Sequence, residues 1–393
     1  MLFTNAKIII KDSVIQKGFL RTTKGKITEI GSGNPQETKE EEPIEDCQGL
    51  FLSPGFIDIH SHGGGGHDIM DGSENDIIKA AQTHLKHGTT TYYPTTLTSS
   101  DEALFHTFTC FRTAQRSKKV LPHLLGLHLE GPYFNMAEKG AQNPRYIRNP
   151  DPKHYMPIME KGEGIISRIS FAPELPGALE MADRLRDSGI MLSAGHTAAT
   201  YDQIKKAFDH GVTHLTHFYS GMSSISRVGG FRILGTVESG YLIDGLSIEL
   251  IADGMHLPPD LLKMILKLKN HEKICVCTDS MRGADMPDGL SILGPKQLGQ
   301  VVIIEDGIAK MPDHTGFAGS VATMDRLVRV MVYQAGLPLW EAVRMASLLP
   351  AKFMGIEAHT GSLEAGKDAD LLLFDNDITI KKVFVDGKAI TFE

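Results

Sequence analysis

Six residues of metal-ligand type follow short apolar runs along this chain. His60 and His62 close the run FIDIH and stand two apart, so in an extended strand both imidazoles leave one face and can reach one cation. Glu130 ends LGLHLE, just before Gly131-Pro132, where a carboxylate packs badly but is well placed to bind or bridge metal ions. His128 shares its face by alternation and reads as a core or supporting residue. His196 ends IMLSAGH. In THLTHF, His214 and His217 compete; His217, just past the strand, is the better ligand, and His214 reads as packing or hydrogen bonding. Asp253 and His256 follow the apolar run ELIA, and Asp279 follows KICVCT. A carboxylate there can hold a water and move its proton. Together His60, His62, Glu130, His196, His217 and Asp279 form one nitrogen and oxygen set suited to a divalent ion.

These residues need a scaffold that brings successive strand ends together. After the strand Phe56–Ile59, apolar β-branched runs recur at Thr89–Leu97, Leu124–Leu129, Ile165–Phe171, Ile190–Ala194, Thr213–Thr216, Ile248–Ala252 and Ile274–Cys277. Helical periodicity falls between or after them, at Asp76–His87, Asp101–Gln115, Ala178–Asp187, Tyr201–His210, Pro259–Lys269, Thr323–Gln334 and Leu339–Ser347. Ser100 and Thr200 are capping residues; Gly88, Gly189, Gly211 and Gly336 are stops. Such alternation predicts an α/β fold with a parallel sheet, closed as a (β/α)8 barrel. An open doubly wound sheet is the second choice. In a barrel, functional residues sit at the C-terminal ends of strands, where this set falls. The Gly63–Gly66 run lacks the lysine and hydroxyl of a phosphate-cradling loop.

The two termini differ from the middle. Residues 2–10 and 19–30 read as strands with a turn at Gly25, and the charged stretch Glu37–Glu42 as a solvated loop. Gly361–Ile390 holds further strands, with turns at Gly366-Lys367, Asn376-Asp377 and Asp386-Gly387. The expected division is a small β domain from residues 1–53 and 351–393 around a barrel of residues 54–350.

The chain has 393 residues, of which 41% are hydrophobic and 22% charged, enough for a large filled core. A net charge of -8 excludes a broad nucleic-acid-binding surface. Seventeen histidines accompany only four cysteines, so no disulfide framework is expected; Cys275 and Cys277, alternating in ICVC, read as core. The segment Met1–Ser13 has no secretory pattern and no apolar run approaches a membrane span, so a cytoplasmic protein without membrane partner is expected.

The motifs PGFIDIHSHGGGGHD (54–68), GTTTYYPT (88–95), GLHLEGPYFN (126–135), KGAQ (139–142), FAPE (171–174), SAGHT (193–197), GVTHLTHFYSGM (211–222), IADGMH (251–256), TDSM (278–281), FAGS (317–320), EAVRMASLLPA (341–351) and GSLEAGKDADLLLFD (361–375) span nearly the whole chain. Together they resemble the N-acetylglucosamine-6-phosphate deacetylases of the amidohydrolase superfamily. The resemblance implies a barrel with a small β-sandwich made from both termini, and hydrolysis of the acetamide of a 6-phosphorylated amino sugar. It implies Glu130, His196 and His217 as principal metal ligands, Asp279 as catalytic acid/base, and His256 as a substrate contact that steadies the developing oxyanion. Some members replace the first H-x-H and hold one metal; His60 and His62 here imply one or two ions, zinc first, with iron, manganese or cobalt as alternatives. Ala141, Gln142, Phe317, Ala318 and Gly319 match positions lining the sugar pocket. The family's N-A-M or N-G-M segment is Ser220-Gly221-Met222 here, and Arg227 falls within about one residue of the family's phosphate arginine. The departures at Ser220 and Phe317 leave the epimer open, so N-acetylgalactosamine-6-phosphate is the competing substrate. The family's dimers imply a homodimer, with Arg227 serving its own site or its partner's. Another superfamily deacetylase is disfavoured by KGAQ, SGM and FAGS, and a sugar-phosphate-binding protein without chemistry by Asp279. Gly131–Gly164 is a candidate lid.

Overall fold

The computed structural model describes residues 1–37, 41–119, 122–314 and 316–392, so residues 38–40 of the charged Glu37–Glu42 stretch lie outside the described residues. Eight parallel strands form the barrel: Phe56–Ser61, Thr89–Thr96, Leu127–Glu130, Ile166–Phe171, Met191–Ala194, Val212–Leu215, Ser247–Leu250 and Ile274–Val276. We refer to them as the first to eighth barrel strands. Their near-continuous burial is what a parallel sheet covered on both faces requires. The eighth strand returns to the first through a parallel bridge between Ser61 and Ser280. Asp58 ties this seam, accepting from the Thr278 hydroxyl at 2.6 Å and its backbone N–H at 3.2 Å.

The helices pack outside with their apolar stripes inward. The helix Glu74–Lys86 is capped by Ser73, whose side chain accepts from the Asp76 N–H, and buries Ile77, Ile78, Ala81 and Leu85. It stops before Gly88, whose φ of 91° is costly for any residue with a Cβ. The helix Asp101–Gln115 buries Phe108 and Phe111; truncating either to alanine costs about 3 to 5 kcal/mol by the usual cavity penalty.

Both termini combine in one continuous eight-stranded sheet, the small β-sandwich domain. Leu2–Ile9 pairs with Ile44–Asp46 through Leu2 to Thr4 and with Phe51–Pro54 through Lys7 and Ile8. Phe51–Pro54 in turn pairs with Leu371–Phe374, joining the two chain ends. Phe3, Ile8, Leu20, Leu371 and Phe384 fill its core.

Several pieces were not expected, among them short helices at Thr236–Leu242 and Leu348–Phe353. The segment 131–164 holds a helix at Pro152–Lys161, begun by an Asp151 cap and proline at its first turn. A hairpin, Ser226–Val228 and Phe231–Ile233, follows the sixth strand. A three-stranded sheet, Gly289–Leu293, Gln300–Glu305 and Ile308–Lys310, follows the eighth. Among the described residues, no helix is long and apolar enough to cross a membrane.

Candidate metal centre

The six ligand-type residues meet at the C-terminal mouth of the barrel, and all are buried. His60 and Glu130 lie on strands, and His62 follows directly. His196, His217 and Asp279 sit two or three residues beyond strand ends with φ of 47°, 31° and 45°. Non-glycine residues avoid that region, at a cost of roughly 1 to 3 kcal/mol each. The left-handed turn rotates the chain out of the strand direction at these positions. Hydrogen bonds hold it: the Asp279 N–H donates to His60 O at 2.8 Å, and the Asn135 N–H to His196 O at 2.9 Å.

Ring orientations follow from the outer partners. Nδ1 of His60 faces Glu249 Oε1 at 2.8 Å, that of His62 faces Thr95 O at 3.2 Å, that of His196 faces Glu138 O at 2.8 Å, and that of His217 faces Ser220 O at 3.1 Å. Each partner accepts only, so each Nδ1 carries a proton, and once a cation takes the place of any second proton each ring turns an Nε2 lone pair inward. His60 and His62 Nε2 are 3.3 Å apart, and His196 and His217 Nε2 are 3.2 Å apart. Glu130 lies between them: Oε1 is 3.2 Å from His196, 3.0 Å from His217 and 3.4 Å from His60, and Oε2 is 3.3 Å from His62. Asp279 Oδ1 is 3.2 Å from His62 and 3.4 Å from His60.

Facing lone pairs beside two carboxylates demand positive charge. Burial alone would depress the His60 pKa, yet Asp279, Glu130 and Glu249 push it up to about 9; His62 is raised likewise, against its burial, by Asp279 and Glu130. Burial would raise Glu130, but the His60 charge and hydrogen bonds to His196 and His217 hold it well below the usual carboxylate range. A divalent cation satisfies the same field without protons. The donors form two groups that each close within 4.8 Å, His60 with His62 and Asp279, and Glu130 with His196 and His217. The residues present therefore fit a nitrogen- and oxygen-ligated metal.

A cavity of about 220 Å3 opens above them, lined by His62, Glu130, His196, His217 and Asp279, and further out by His256 and Phe317. Ala141, Gln142, Ser220, Gly221 and Gly319 also line it, with Leu97 and Leu293 as apolar walls. The His256 and Phe317 rings meet at 5.0 Å. Ala318 is wholly buried behind the wall and reaches the cavity through neither side chain nor lining contact. Gln142 has both ends of its amide engaged in the protein: Nε2 donates to Glu130 Oε2 at 2.5 Å, and Oε1 accepts the Thr98 N–H at 2.9 Å. Arg227 is not brought to the cavity of its own chain. It lies on the exposed hairpin closed by the Gly229-Gly230 turn.

His128 and His214 lie below the site rather than in it. His128 bonds Ser170 Oγ at 2.7 Å, and burial with the nearby Arg168 charge drives its pKa well down. His214 bonds Ser247 Oγ at 2.7 Å, and burial lowers it to about 4. Sequence reading missed Arg168 and Glu249, which are hidden within apolar strands. A charge in a run otherwise fit for a barrel interior was the available signal.

An eight-stranded barrel with four histidines and two carboxylates converging on its C-terminal mouth defines a metal-dependent hydrolase scaffold. The chain belongs to the amidohydrolase family, whose profile matches residues 51–390. It is 33% identical to the N-acetylgalactosamine-6-phosphate deacetylase of Escherichia coli O157:H7, over 87% of this chain and 88% of the relative. It is 32% identical to the N-acetylglucosamine-6-phosphate deacetylase of Bacillus subtilis strain 168, over 97% and 94%. The crystal structure of N-acetylglucosamine-6-phosphate deacetylase from Pasteurella multocida superposes with a TM-score of 0.90 at 30% identity, covering 100% of this chain and 99% of that one.

Proposed function

We propose that this chain hydrolyses the acetamide of N-acetylglucosamine-6-phosphate to glucosamine-6-phosphate and acetate, as a step of amino-sugar catabolism. One observation carries the reading: four inward Nε2 lone pairs and two carboxylates lie at the floor of a small cavity, in a chain that matches sugar-phosphate deacetylases almost end to end. In this reading Glu130, His196 and His217 hold one divalent ion, and His60, His62 and Asp279 a second, with zinc favoured by the ligand mixture. Such an ion supplies Lewis acidity toward the acetamide carbonyl and lowers the pKa of water.

The chain's own residues do the rest. Asp279 accepts the proton of the attacking water and returns it to the departing nitrogen, which is otherwise a poor leaving group. His256 turns its outer nitrogen to the oxygen on which charge develops. Ser220, Gly221, Ala141, Phe317 and Gly319 line the sugar site, with Ala318 buried behind them. Gln142 lines the same cavity and also holds Glu130 with one amide N–H, keeping the other N–H for the sugar. Arg227 binds the phosphate, and because it lies outside its own cavity we assign that contact to a partner subunit in a homodimer. The protein acts in the cytoplasm, without nucleic acid or membrane. Residues 1–53 and 351–393 serve as the sandwich domain and 54–350 as the barrel.

The galacto epimer is the second reading, favoured by Ser220 and Phe317 and by the E. coli relative's activity. Acetate release from N-acetylglucosamine-6-phosphate, N-acetylgalactosamine-6-phosphate and both unphosphorylated sugars tests these points. Faster turnover of the galacto ester overturns the gluco assignment. Equal turnover of unphosphorylated sugar overturns the role of Arg227.

A further inference from the structure

Below the ligands, the barrel interior holds a charge pair that the hydrolytic reading leaves without a role. Arg168 on the fourth strand and Glu249 on the seventh are both fully buried, with Nη1 and Oε2 2.5 Å apart. Removing two charges from water costs more than their attraction commonly returns, so packing alone does not explain them. Arg168 is fixed further by donating to Ser193 Oγ at 3.1 Å, Thr216 Oγ1 at 3.0 Å and Ile59 O at 3.3 Å. That network anchors one oxygen of Glu249 and leaves the other facing the site.

This second oxygen, Oε1, has two partners. It accepts the His60 Nδ1–H at 2.8 Å and the His217 backbone N–H at 3.0 Å. His60 comes from the first strand and His217 from the turn after the sixth, and they belong to different ligand groups. A single carboxylate oxygen therefore touches both halves of the centre. A carboxylate on the far nitrogen of a ligating histidine fixes the tautomer and strengthens the ligand. Its hold on His217 is weaker in consequence, because it acts on the backbone, while Nδ1 of that ring is held independently by Ser220 O.

We propose that Glu249, anchored by Arg168, is a positioning residue that sets the metal affinity of the His60/His62/Asp279 half of the centre more than that of the Glu130/His196/His217 half. The inference rests on the metal-hydrolase reading above. Its effect is uneven: loss of Glu249 frees the His60 ring to turn or take the opposite tautomer, whereas the other half keeps its own outer partners.

The test is zinc titration of the full-length chain after metal removal, with ions per chain by elemental analysis and affinities by chelator competition. Wild type is expected to take up two ions. Glu249→Gln is expected to keep one with near-native affinity and to bind the other ~10- to 100-fold more weakly. If that variant does not fold, Arg168→Met combined with Glu249→Leu removes both charges at similar volume and is expected to give the same uneven loss. Two ions bound with wild-type affinity by either folded variant overturn the proposal. Equal weakening of both ions also overturns it, since that is what general loosening of the barrel produces. A wild-type chain that binds two ions while the variants are unchanged contradicts this inference alone; a wild-type chain that binds none contradicts the proposed function, and this inference with it.

Discussion

Asp253 accepts the Nδ1–H of His256 at 2.9 Å, so the ring keeps its other nitrogen, Nε2, for the cavity. The same carboxylate accepts the backbone N–H groups of Met255 and His256, each at 2.8 Å, which fixes the loop as well as the ring. Burial would raise the Asp253 pKa, but the hydrogen bond and charge of His256 hold it below the ordinary value. Asp253 thereby sets which nitrogen of the ring faces the oxygen on which charge develops. Asp253→Asn keeps the backbone contacts and removes the charge. We expect kcat to fall roughly 10- to 100-fold, with KM changed little, in steady-state acetate release. A fall in kcat/KM through KM alone contradicts this role.

Asp279 shares the field of His60 and His62, which together hold it below its usual pKa against the effect of burial. Asp279→Asn preserves shape and removes proton transfer. Turnover is expected to drop by at least ~100-fold while the ion at Glu130, His196 and His217 is retained. Near-normal turnover refutes the acid/base assignment.

Gln142 matters through Glu130. Gln142→Leu removes the donor to Glu130 Oε2 and leaves the Thr98 N–H without its acceptor. A loss of about 1 to 3 kcal/mol in unfolding free energy is expected, with metal affinity weakened ~10-fold or more. Chemical denaturation and chelator competition measure the two separately, and an unchanged metal affinity sinks the supporting role.

His123 joins the barrel to the sandwich domain. Its Nε2 lies 3.1 Å from Asp370 Oδ1, beside the strand Leu371–Phe374. Burial opposes protonation, but the hydrogen bond to Asp370 and its charge raise the His123 pKa from 6.5 to about 9. A pKa raised in the folded state stabilises fully below the unfolded value and is lost as pH rises through the folded one. Wild type should therefore lose about 2 kcal/mol between pH 6.5 and 9 that His123→Gln does not lose. Urea midpoints across that range measure the difference, and parallel curves contradict it.

The strand ends were legible because each ligand interrupts an apolar run where a barrel strand must stop. Asp58 and the H-x-H beside it fall on the closing seam, so position alone placed His60 and His62 near Asp279. Arg168 and Glu249 stayed hidden because ISRISF and SIEL read as ordinary strands, and sequence does not say which residues face a polar barrel interior. Arg227 lies close in sequence to Ser220-Gly221 yet on an exposed hairpin outside the cavity lining, and sequence does not say whether it serves its own site or a partner's. The three-stranded sheet after the eighth strand supplies Leu293 to the cavity across a break in the strand–helix alternation, where periodicity gives no direction.

The most direct test of the account is acetate release from N-acetylglucosamine-6-phosphate by one preparation in three states: as purified, stripped of metal, and reloaded with zinc. We predict turnover in the first, loss of nearly all of it in the second and recovery in the third. No acetate from the loaded protein, or undiminished release after elemental analysis shows the metal gone, contradicts the account.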